Sequence, residues 1–171
     1  MRVARKAAVE PARPVARAGR GPYVLIVEAR FYPGISDALL AGARAALRAA
    51  GAAHQVVTVP GSLEIPAAIA IASKVLLSQG RAPDGYVALG CVIRGETSHY
   101  DLVAGESARG LTELGVRDGF AIGNGIITVE TEAQAWERAR PDRLDKGGGA
   151  AAACLALIDL RRNLNSAPVS R

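Results

Sequence analysis

The chain has 171 residues, of which 50% are hydrophobic and 4% aromatic, and its formal net charge is +5 at pH 7. A chain of this length forms one domain with a sizeable aliphatic core and is too short for two ordinary domains. No apolar run approaches the length of a membrane span, which argues against a membrane-spanning protein. Because only two cysteines and two histidines are present, we also expect no metal site.

The positive charge is concentrated before the first predicted strand. Six basic side chains lie there, and without this tail the net charge is near zero: Arg2, Arg5, Lys6, Arg13, Arg17 and Arg20. Residues 1–21 are rich in Arg, Ala and Pro and lack apolar periodicity, so we predict a disordered basic tail, with a transit peptide or a nucleic-acid-binding arm as alternatives. The tail has no apolar signal-peptide core, which argues against secretion. We expect a cytoplasmic protein that binds neither membrane nor nucleic acid.

Strand-like and helix-like patterns alternate from residue 22 to residue 163. Such alternation predicts one α/β domain, a three-layer sandwich in which a four-stranded parallel sheet is covered by helices on both faces. In chain order the predicted elements are strand Tyr23–Val27, helix Ile35–Ala50, strand His54–Val59, a helix from the Pro66 turn to about Gln79, strand Gly85–Gly90, helix Ser98–Leu114, strand Phe120–Thr128, a short helix Thr131–Arg138 and a last helix after 146–149. The end from Asn163, and with it the segment 164–171, is predicted to fray.

Local signals mark several helix ends. Gly51 closes the first helix as a C-cap, Pro66 suits the first turn of the second, and Thr131-x-x-Gln134 resembles a capping box. Residues at helical spacing predict the packed stripes of the first and last helices, at Leu39, Ala43, Ala46, Leu47, Ala50, Ala153, Cys154, Leu157, Ile158 and Arg161. Because both cysteines, Cys91 and Cys154, fall inside predicted elements, we expect buried, reduced thiols rather than a disulfide.

The turn after the third predicted strand places a titratable imidazole beside a helix N-terminus. Thr97 and His99 lie beyond the carboxyl end of this strand, where free backbone N–H groups and the helix dipole attract phosphate. A histidine in that position can transfer protons near neutral pH, so His99 is the candidate general acid and base. The alternative is a helix-start histidine that only hydrogen-bonds its own backbone. His54 opens a strand and is assigned no role.

Further residues suit a planar ligand that carries a phosphate. Arg94 or Arg138 could pair bidentately with a phosphate at the Thr97 turn, although an arginine is usually a solvated charge. The segment Gly61–Glu64 could present backbone N–H groups and a carboxylate to a heterocycle on which Phe31 stacks. The alternative for this pair is an ordinary capping turn and a core aromatic.

Six sequence blocks together carry a resemblance to a known family. They are Ala29–Tyr32, Val59–Pro66, Leu89–Asp101, Gly125–Thr128, Gln134–Ala139 and Asp145–Gly147. In this order they resemble the 6,7-dimethyl-8-ribityllumazine synthases, and the resemblance runs from about Gly21 to Asn163. The block Gly-x-Val-Ile-Arg-Gly-x-Thr-x-His, which ends at His99, is highly specific for that family.

The resemblance implies a flavodoxin-like α/β fold and the penultimate step of riboflavin synthesis. The family condenses 5-amino-6-(D-ribitylamino)uracil with 3,4-dihydroxy-2-butanone 4-phosphate and releases phosphate and water, without a metal or an organic cofactor. Carried over by motif, Phe31 would stack on the pyrimidine, His99 would transfer protons, Arg138 would pair with the phosphate, and Lys146 would lie nearby. Ser62, Leu63 and Glu64 would hold the ring or the ribityl chain, and Cys91, Val92 and Ile93 would line the same pocket. Glu96 and Thr97 would form the phosphate-binding turn.

Two departures from the family pattern bear on substrate affinity and on assembly. Asn124 stands where many members carry a Phe that closes over the pyrimidine from a neighbouring subunit, so a stacking surface is replaced by an amide. Family members that form sixty-subunit shells resemble one another in a turn of the Gly-Thr-Lys-x-Gly-Asn kind. The segment Arg140–Asp145 lacks such a turn. We therefore expect a homo-oligomer with shared sites, a pentamer rather than a sixty-subunit shell.

Three competing functions are weaker on the same residues. A ligand-binding or regulatory protein that kept the pocket but lost useful catalysis is suggested by Asn124, whereas retention of His99, Thr97 and Arg138 argues against it. A flavodoxin-like electron carrier lacks support because no Thr/Ser-rich phosphate loop follows the first strand. An archaeal-type riboflavin synthase fits the His99 block less well than a lumazine synthase does.

Overall fold

A computed structural model of the chain describes residues 21–166. The predicted basic tail, apart from Gly21, and the last five residues of the predicted frayed end therefore lie outside the described residues. Four strands alternate with five helices in the described part: β1 Tyr23–Ala29, α1 Pro33–Ala49, β2 Ala53–Val59, α2 Glu64–Ser78, β3 Gly85–Ile93, α3 His99–Asp118, β4 Ile122–Val129, α4 Glu132–Ala139 and α5 Lys146–Ser166.

The four strands form one parallel sheet in the order β2-β1-β3-β4. Side chains alternate across the central strand β1, so Val24 and Ile26 pack under α1, α4 and α5, whereas Leu25 and Val27 pack under α2 and α3. Both faces of the sheet are covered, which explains the near-continuous apolar runs of β1 and β3. The predicted flavodoxin-like, three-layer α/β sandwich is confirmed.

Two strands extend further than their apolar runs predict. β1 continues through Glu28, whose buried carboxylate is paired with Arg30 at 3.3 Å and accepts a hydrogen bond from Thr58 at 3.1 Å. Because a charged residue ends an apolar pattern, the sequence predicts that this strand ends at Val27. The partners of the Glu28 carboxylate make its burial tolerable, so the strand continues. β3 likewise continues past its predicted end at Gly90 to Ile93. The strand therefore ends closer to the turns at the carboxyl-terminal side of the sheet.

Two helices also extend beyond their predicted ends. α3 continues past Leu114 to Asp118 and stops at Gly119, whose φ of +66° is the left-handed conformation of a C-terminal cap. α5 continues past Asn163 to Ser166, so these residues are helical where the sequence predicts fraying.

Burial divides the predicted helix stripes. In α1 the side chains of Leu39, Ala43 and Leu47 are fully buried, whereas Ala50, predicted as the last helical residue, is the exposed residue that follows the helix. In α5, Cys154 and Ile158 are fully buried, whereas the neighbouring positions Ala153 and Leu157 face outward. Both cysteines are buried, as predicted, and burial raises the pKa of the Cys154 thiol to about 12. No helix among residues 21–166 is long and apolar enough to cross a membrane.

Gly123 allows β4 and α5 to pack backbone against backbone. A Cβ at this position would overlap the carbonyl oxygen of Ala150 and lie 3.2 Å from Cys154 Cβ. We expect Gly123→Ala to lower the free energy of unfolding by about 3 kcal/mol, because backbone cannot move aside as a flexible side chain does. Calorimetry should show a Tm roughly 10 °C lower.

Gly105 provides the matched control for this substitution. It lies in the middle of α3, and a Cβ there would meet nothing within 4 Å. Gly105→Ala should therefore raise the stability slightly, by about 0.5–1 kcal/mol, because alanine favours a helix interior over glycine. Equal Tm values for the two variants would contradict the close packing of β4 against α5.

Candidate active site

The turns at the carboxyl edge of the sheet surround one cavity of about 310 Å³. The loops after β1 and β3 leave towards opposite faces of the sheet, and such a switch point opens a cleft between neighbouring strands. Nine of the residues predicted for the site line this cavity: Phe31, Ser62, Leu63, Glu64, Cys91, Val92, Ile93, Thr97 and His99. The structure therefore brings together residues from three separate turns of the chain.

The end of β3 supplies an apolar wall of the cavity. Cys91 and Val92 are buried, and burial raises the pKa of the Cys91 thiol to about 12. A thiol with this pKa stays protonated at neutral pH and is a poor nucleophile. Cys91 therefore shapes the pocket rather than attacking a substrate.

The turn before α2 lies against this wall. Ser62 is buried, and a Cβ on Gly90 of β3 would lie 2.6 Å from Ser62 Oγ, so the glycine makes room for the turn. Glu64, the first residue of α2, is exposed at the helix N-terminus, where the helix dipole favours a carboxylate. This turn presents a hydroxyl, backbone groups and a carboxylate beside the apolar wall.

Phe31 is an exposed aromatic side chain at the mouth of the cavity. Its exposed fraction is 70%, so the alternative that it is a core aromatic is wrong. It meets the ring of Tyr32 edge-to-face at 5.0 Å between centroids. An open aromatic face in a cleft is a surface on which a planar heterocycle can stack.

His99 is the first residue of α3, and its side chain is exposed in the cavity. Its backbone N–H donates to Thr97 Oγ1 at 3.4 Å, whereas its ring makes no hydrogen bond to another residue within 21–166. Ser98, the N-cap of α3, forms no capping hydrogen bond with its side chain. Uncapped N–H groups at a helix N-terminus suit an anion, so an anion and the imidazole would be neighbours here.

The structure places the other predicted residues elsewhere. Glu96 is exposed in the same turn but does not line the cavity. Asn124, Arg138 and Lys146 line a second hollow, of about 460 Å³, along the edge strand β4. The predicted site residues therefore form two groups within one chain, a group around Phe31 and His99 and a group around Arg138.

The second hollow is cationic. Arg138 donates to the carbonyl of Gln134 in its own helix at 3.2 Å and forms no ion pair with any residue in the described range. Lys146 lies exposed at the start of α5, and no Asp or Glu is among the described residues that line the hollow. The amide of Asn124 accepts a hydrogen bond from the backbone of Ile126 at 2.9 Å. Two cations without a nearby carboxylate favour an anionic ligand.

Three side chains that line the first cavity were missed by sequence reasoning. Tyr32, Tyr100 and Val103 also line the first cavity. The two tyrosines directly follow Phe31 and His99, and Val103 lies one helical turn after His99, so adjacency and helical spacing could have identified them. Of the two arginines considered for the phosphate, Arg94 is engaged by two carboxylates, which leaves Arg138 as the candidate.

Comparison with known proteins identifies the family of the chain. The sequence model of the family described as 6,7-dimethyl-8-ribityllumazine synthase matches residues 21–162. The 6,7-dimethyl-8-ribityllumazine synthase 1 of Rhodopseudomonas palustris is 58% identical over 147 residues, which cover 86% of this chain and 90% of that protein. The 6,7-dimethyl-8-ribityllumazine synthase of Xanthobacter autotrophicus is 58% identical over 85% of this chain and 88% of that protein. That of Nitrobacter winogradskyi is 57% identical over 86% of this chain and 90% of that protein. The chain therefore belongs to the 6,7-dimethyl-8-ribityllumazine synthase family of enzymes.

Proposed function

We propose that this chain condenses 5-amino-6-(D-ribitylamino)uracil with 3,4-dihydroxy-2-butanone 4-phosphate to 6,7-dimethyl-8-ribityllumazine, phosphate and water, in the penultimate step of riboflavin biosynthesis. The observation that carries the proposal is the shared cavity of an exposed aromatic ring, Phe31, and an exposed imidazole, His99. The two substrates are those that the resemblance to the family implies, and membership of the family supports them.

The first cavity suits the pyrimidine substrate. The face of Phe31 offers a stacking surface, and the turn Ser62–Glu64 offers polar groups for the ring and the ribityl chain. The apolar wall at Cys91–Ile93 excludes water from one side of the ring. A planar ring with polar edges is held by this combination, since the apolar contacts provide affinity and the polar groups fix orientation.

The phosphate of the second substrate fits the turn at Thr97. The N-terminus of α3, which the Ser98 side chain does not cap, attracts an anion through the helix dipole, and a guanidinium such as that of Arg138 would complete the site by bidentate pairing. Because phosphate leaves during the reaction, cations that stabilise its negative charge also promote its departure.

His99 supplies the proton transfers of the reaction. Imine formation between the pyrimidine amine and the ketone expels water, elimination then expels phosphate, and ring closure expels a second water. Each step moves protons between nitrogen, carbon and oxygen, and an imidazole can give and take them near neutral pH. Holding both substrates in one cleft provides much of the remaining rate enhancement.

We infer that the complete site forms between neighbouring copies of the chain. The group around Phe31 and His99 and the group around Arg138 line different hollows of one chain. Joining the first group of one copy to the second group of the next requires a head-to-tail contact, and such contacts close into rings. The family resemblance implies a ring of five chains, so we propose a homopentamer.

An assay of the purified chain with both substrates tests the proposed reaction directly. We expect the lumazine chromophore and inorganic phosphate to appear in equal amounts, at a rate that rises with each substrate. Binding of the pyrimidine without turnover would instead support the alternative of a ligand-binding protein, for which Asn124 is the motivating residue. If the chain showed no binding and no turnover, both functions would be contradicted.

Arg138→Ala should weaken binding of the phosphorylated substrate selectively. A charge-assisted hydrogen bond to phosphate contributes about 1.5–3 kcal/mol, which corresponds to a KM about 10- to 100-fold higher. The KM of the neutral pyrimidine should change by less than about threefold, because a guanidinium has no comparable partner on it. Steady-state kinetics with each substrate varied in turn measure both effects.

Arg140→Ala is the matched control for Arg138→Ala. Arg140 directly follows α4, the helix that carries Arg138. Its guanidinium pairs with Asp142 at 2.9 Å and does not line the second hollow. Its removal should leave both KM values unchanged. Equal rises of both KM values in Arg138→Ala would indicate a folding or interface defect and would contradict the phosphate role.

A further inference from the structure

Arg94 lies directly after β3 and lines neither cavity, yet its guanidinium has three partners. Its Nε donates to Glu130 Oε2 at 2.7 Å, and its Nη2 donates to Asp101 Oδ1 at 3.2 Å. The plane of the guanidinium covers the ring of Tyr100 at 4.0 Å from the centroid. One side chain therefore contacts the first turn of α3 and the residue that follows β4.

The turn between Arg94 and His99 is held mainly at its two ends. The backbone N–H of Arg94 donates to the carbonyl of Val129 at 2.9 Å, which continues the pairing of β3 with β4. Within the turn, a Cβ on Gly95 would meet nothing within 4 Å, and Thr97 Oγ1 accepts only from the backbone of His99 among described residues. The position of His99 thus depends on how the first turn of α3 is fixed to the sheet.

We propose that Arg94 is a positioning residue that fixes the first turn of α3, and with it His99, at the edge of the cavity. Asp101 and Tyr100 belong to that turn, and Glu130 belongs to the end of the sheet, so the guanidinium joins the two. The inference rests on the proposed function, because a positioning role concerns the proton transfers assigned to His99.

The arrangement is suited to orientation rather than to global stability. The side chains of Arg94, Asp101 and Glu130 are 40%, 64% and 56% exposed, and exposed ion pairs add little to the free energy of unfolding. A planar guanidinium nevertheless fixes direction, because its fork meets two carboxylates while its face meets a ring. A lysine could provide one point charge at this position but not the fork.

Arg94→Met tests the role, with Arg94→Lys as the conservative variant. Arg94→Met should lower kcat by roughly 10-fold, because displacing a catalytic group by about 1 Å costs up to about 10²-fold in rate. The KM of the pyrimidine and the Tm should change little, since Arg94 lines neither cavity and its ion pairs are exposed, whereas the KM of the phosphorylated substrate should rise because its phosphate is assigned to the same turn. Arg94→Lys should restore part of the lost kcat.

Arg109 provides the matched control on the same helix. It pairs with Glu106 at 2.8 Å and Glu113 at 3.0 Å and lines neither cavity. Arg109→Met therefore removes a similar exposed ion-pair network and should leave kcat unchanged. An equal loss of kcat in Arg109→Met and Arg94→Met would overturn the positioning role.

Combining Arg94→Met with His99→Ala decides whether Arg94 acts through the imidazole. If it does, Arg94→Met should lower kcat in the native background and have no further effect when His99 is already alanine. The same 10-fold loss in both backgrounds would overturn the proposal, because Arg94 would then act independently of His99.

A spectroscopic test separates this proposal from the proposed function. The chain has two histidines, His54 and His99, so His99→Ala assigns both imidazole signals in ¹⁵N-edited NMR spectra. Arg94→Met should shift or broaden the His99 signals and leave those of His54 in place, whereas Arg109→Met should alter neither. Unchanged His99 signals in Arg94→Met would overturn the positioning role, whether or not the protein turns over lumazine substrates. Absence of turnover in the native chain would contradict the proposed function alone.

Discussion

His99→Ala should lower kcat by about 100-fold, because general acid–base catalysis by one side chain contributes at least about that factor. The ring is exposed and bonds to no other residue within 21–166, so its removal leaves no buried partner unsatisfied. A group that acts mainly in the transition state changes the rate rather than ground-state binding, so the KM of each substrate should stay within about twofold. Steady-state kinetics at neutral pH measure both quantities.

His54→Ala is the natural control for this variant. His54 lies in β2 beside Arg44 and Arg48, and burial, followed by these positive charges, lowers its pKa. It lines neither hollow, so its removal should leave kcat unchanged. If His99→Ala kept its kcat and raised both KM values instead, His99 would be a binding residue and the acid–base role would be wrong.

The sequence predicted the composition of the first group of site residues better than its geometry. Strand ends and helix starts are readable from apolar runs and capping signals, and in a parallel sheet the carboxyl ends of strands share one edge. The turn at Thr97 and His99 therefore had to lie near the turn at Ser62. Exposure was not readable in the same way, since Phe31 could equally have been a core aromatic until its loop was placed.

Other features depended on contacts that no local pattern records. Glu28 interrupts the apolar run of β1, and its partners Arg30 and the distant Thr58 explain why the strand continues through it. The separation of Arg138 from His99 depends on the sheet order, because β4 forms the edge of the sheet on which the second hollow lies. Side-chain spacing along the chain carries no information about such an arrangement.

The loop after α4 is the basis of our expectation that the chain forms a closed ring rather than a larger particle. The backbone N–H of Asp145 donates to the carbonyl of Arg140 at 3.2 Å, and Asp145 itself has a φ of +42°, in the left-handed region. Its carboxylate accepts from the N–H of Gly148 at 2.9 Å and so caps α5. Pro141 fixes its own φ and restricts Arg140, so this tightly bonded loop cannot copy a glycine-containing turn.

We therefore expect light scattering on the purified chain at neutral pH to give a mass near five chains. A monomer would contradict the shared site, because the two groups of site residues line separate hollows of one chain. A particle of sixty chains would keep the shared site but contradict the argument from the loop.

Mixing two impaired variants should restore activity if neighbouring copies share each site. In a ring of His99→Ala and Arg138→Ala chains, an intact site forms wherever His99 of one chain faces Arg138 of the next. Random mixing places that combination at roughly one quarter of the interfaces, because each interface joins two independently drawn chains. Co-refolded variants, assayed at a low concentration of the phosphorylated substrate, should recover about that fraction of native activity.

His99→Ala mixed with Phe31→Ala should recover none, since both residues line the same cavity of one chain and no interface could then carry both. Equal recovery in the two mixtures, or none in the first, would contradict a site divided between copies.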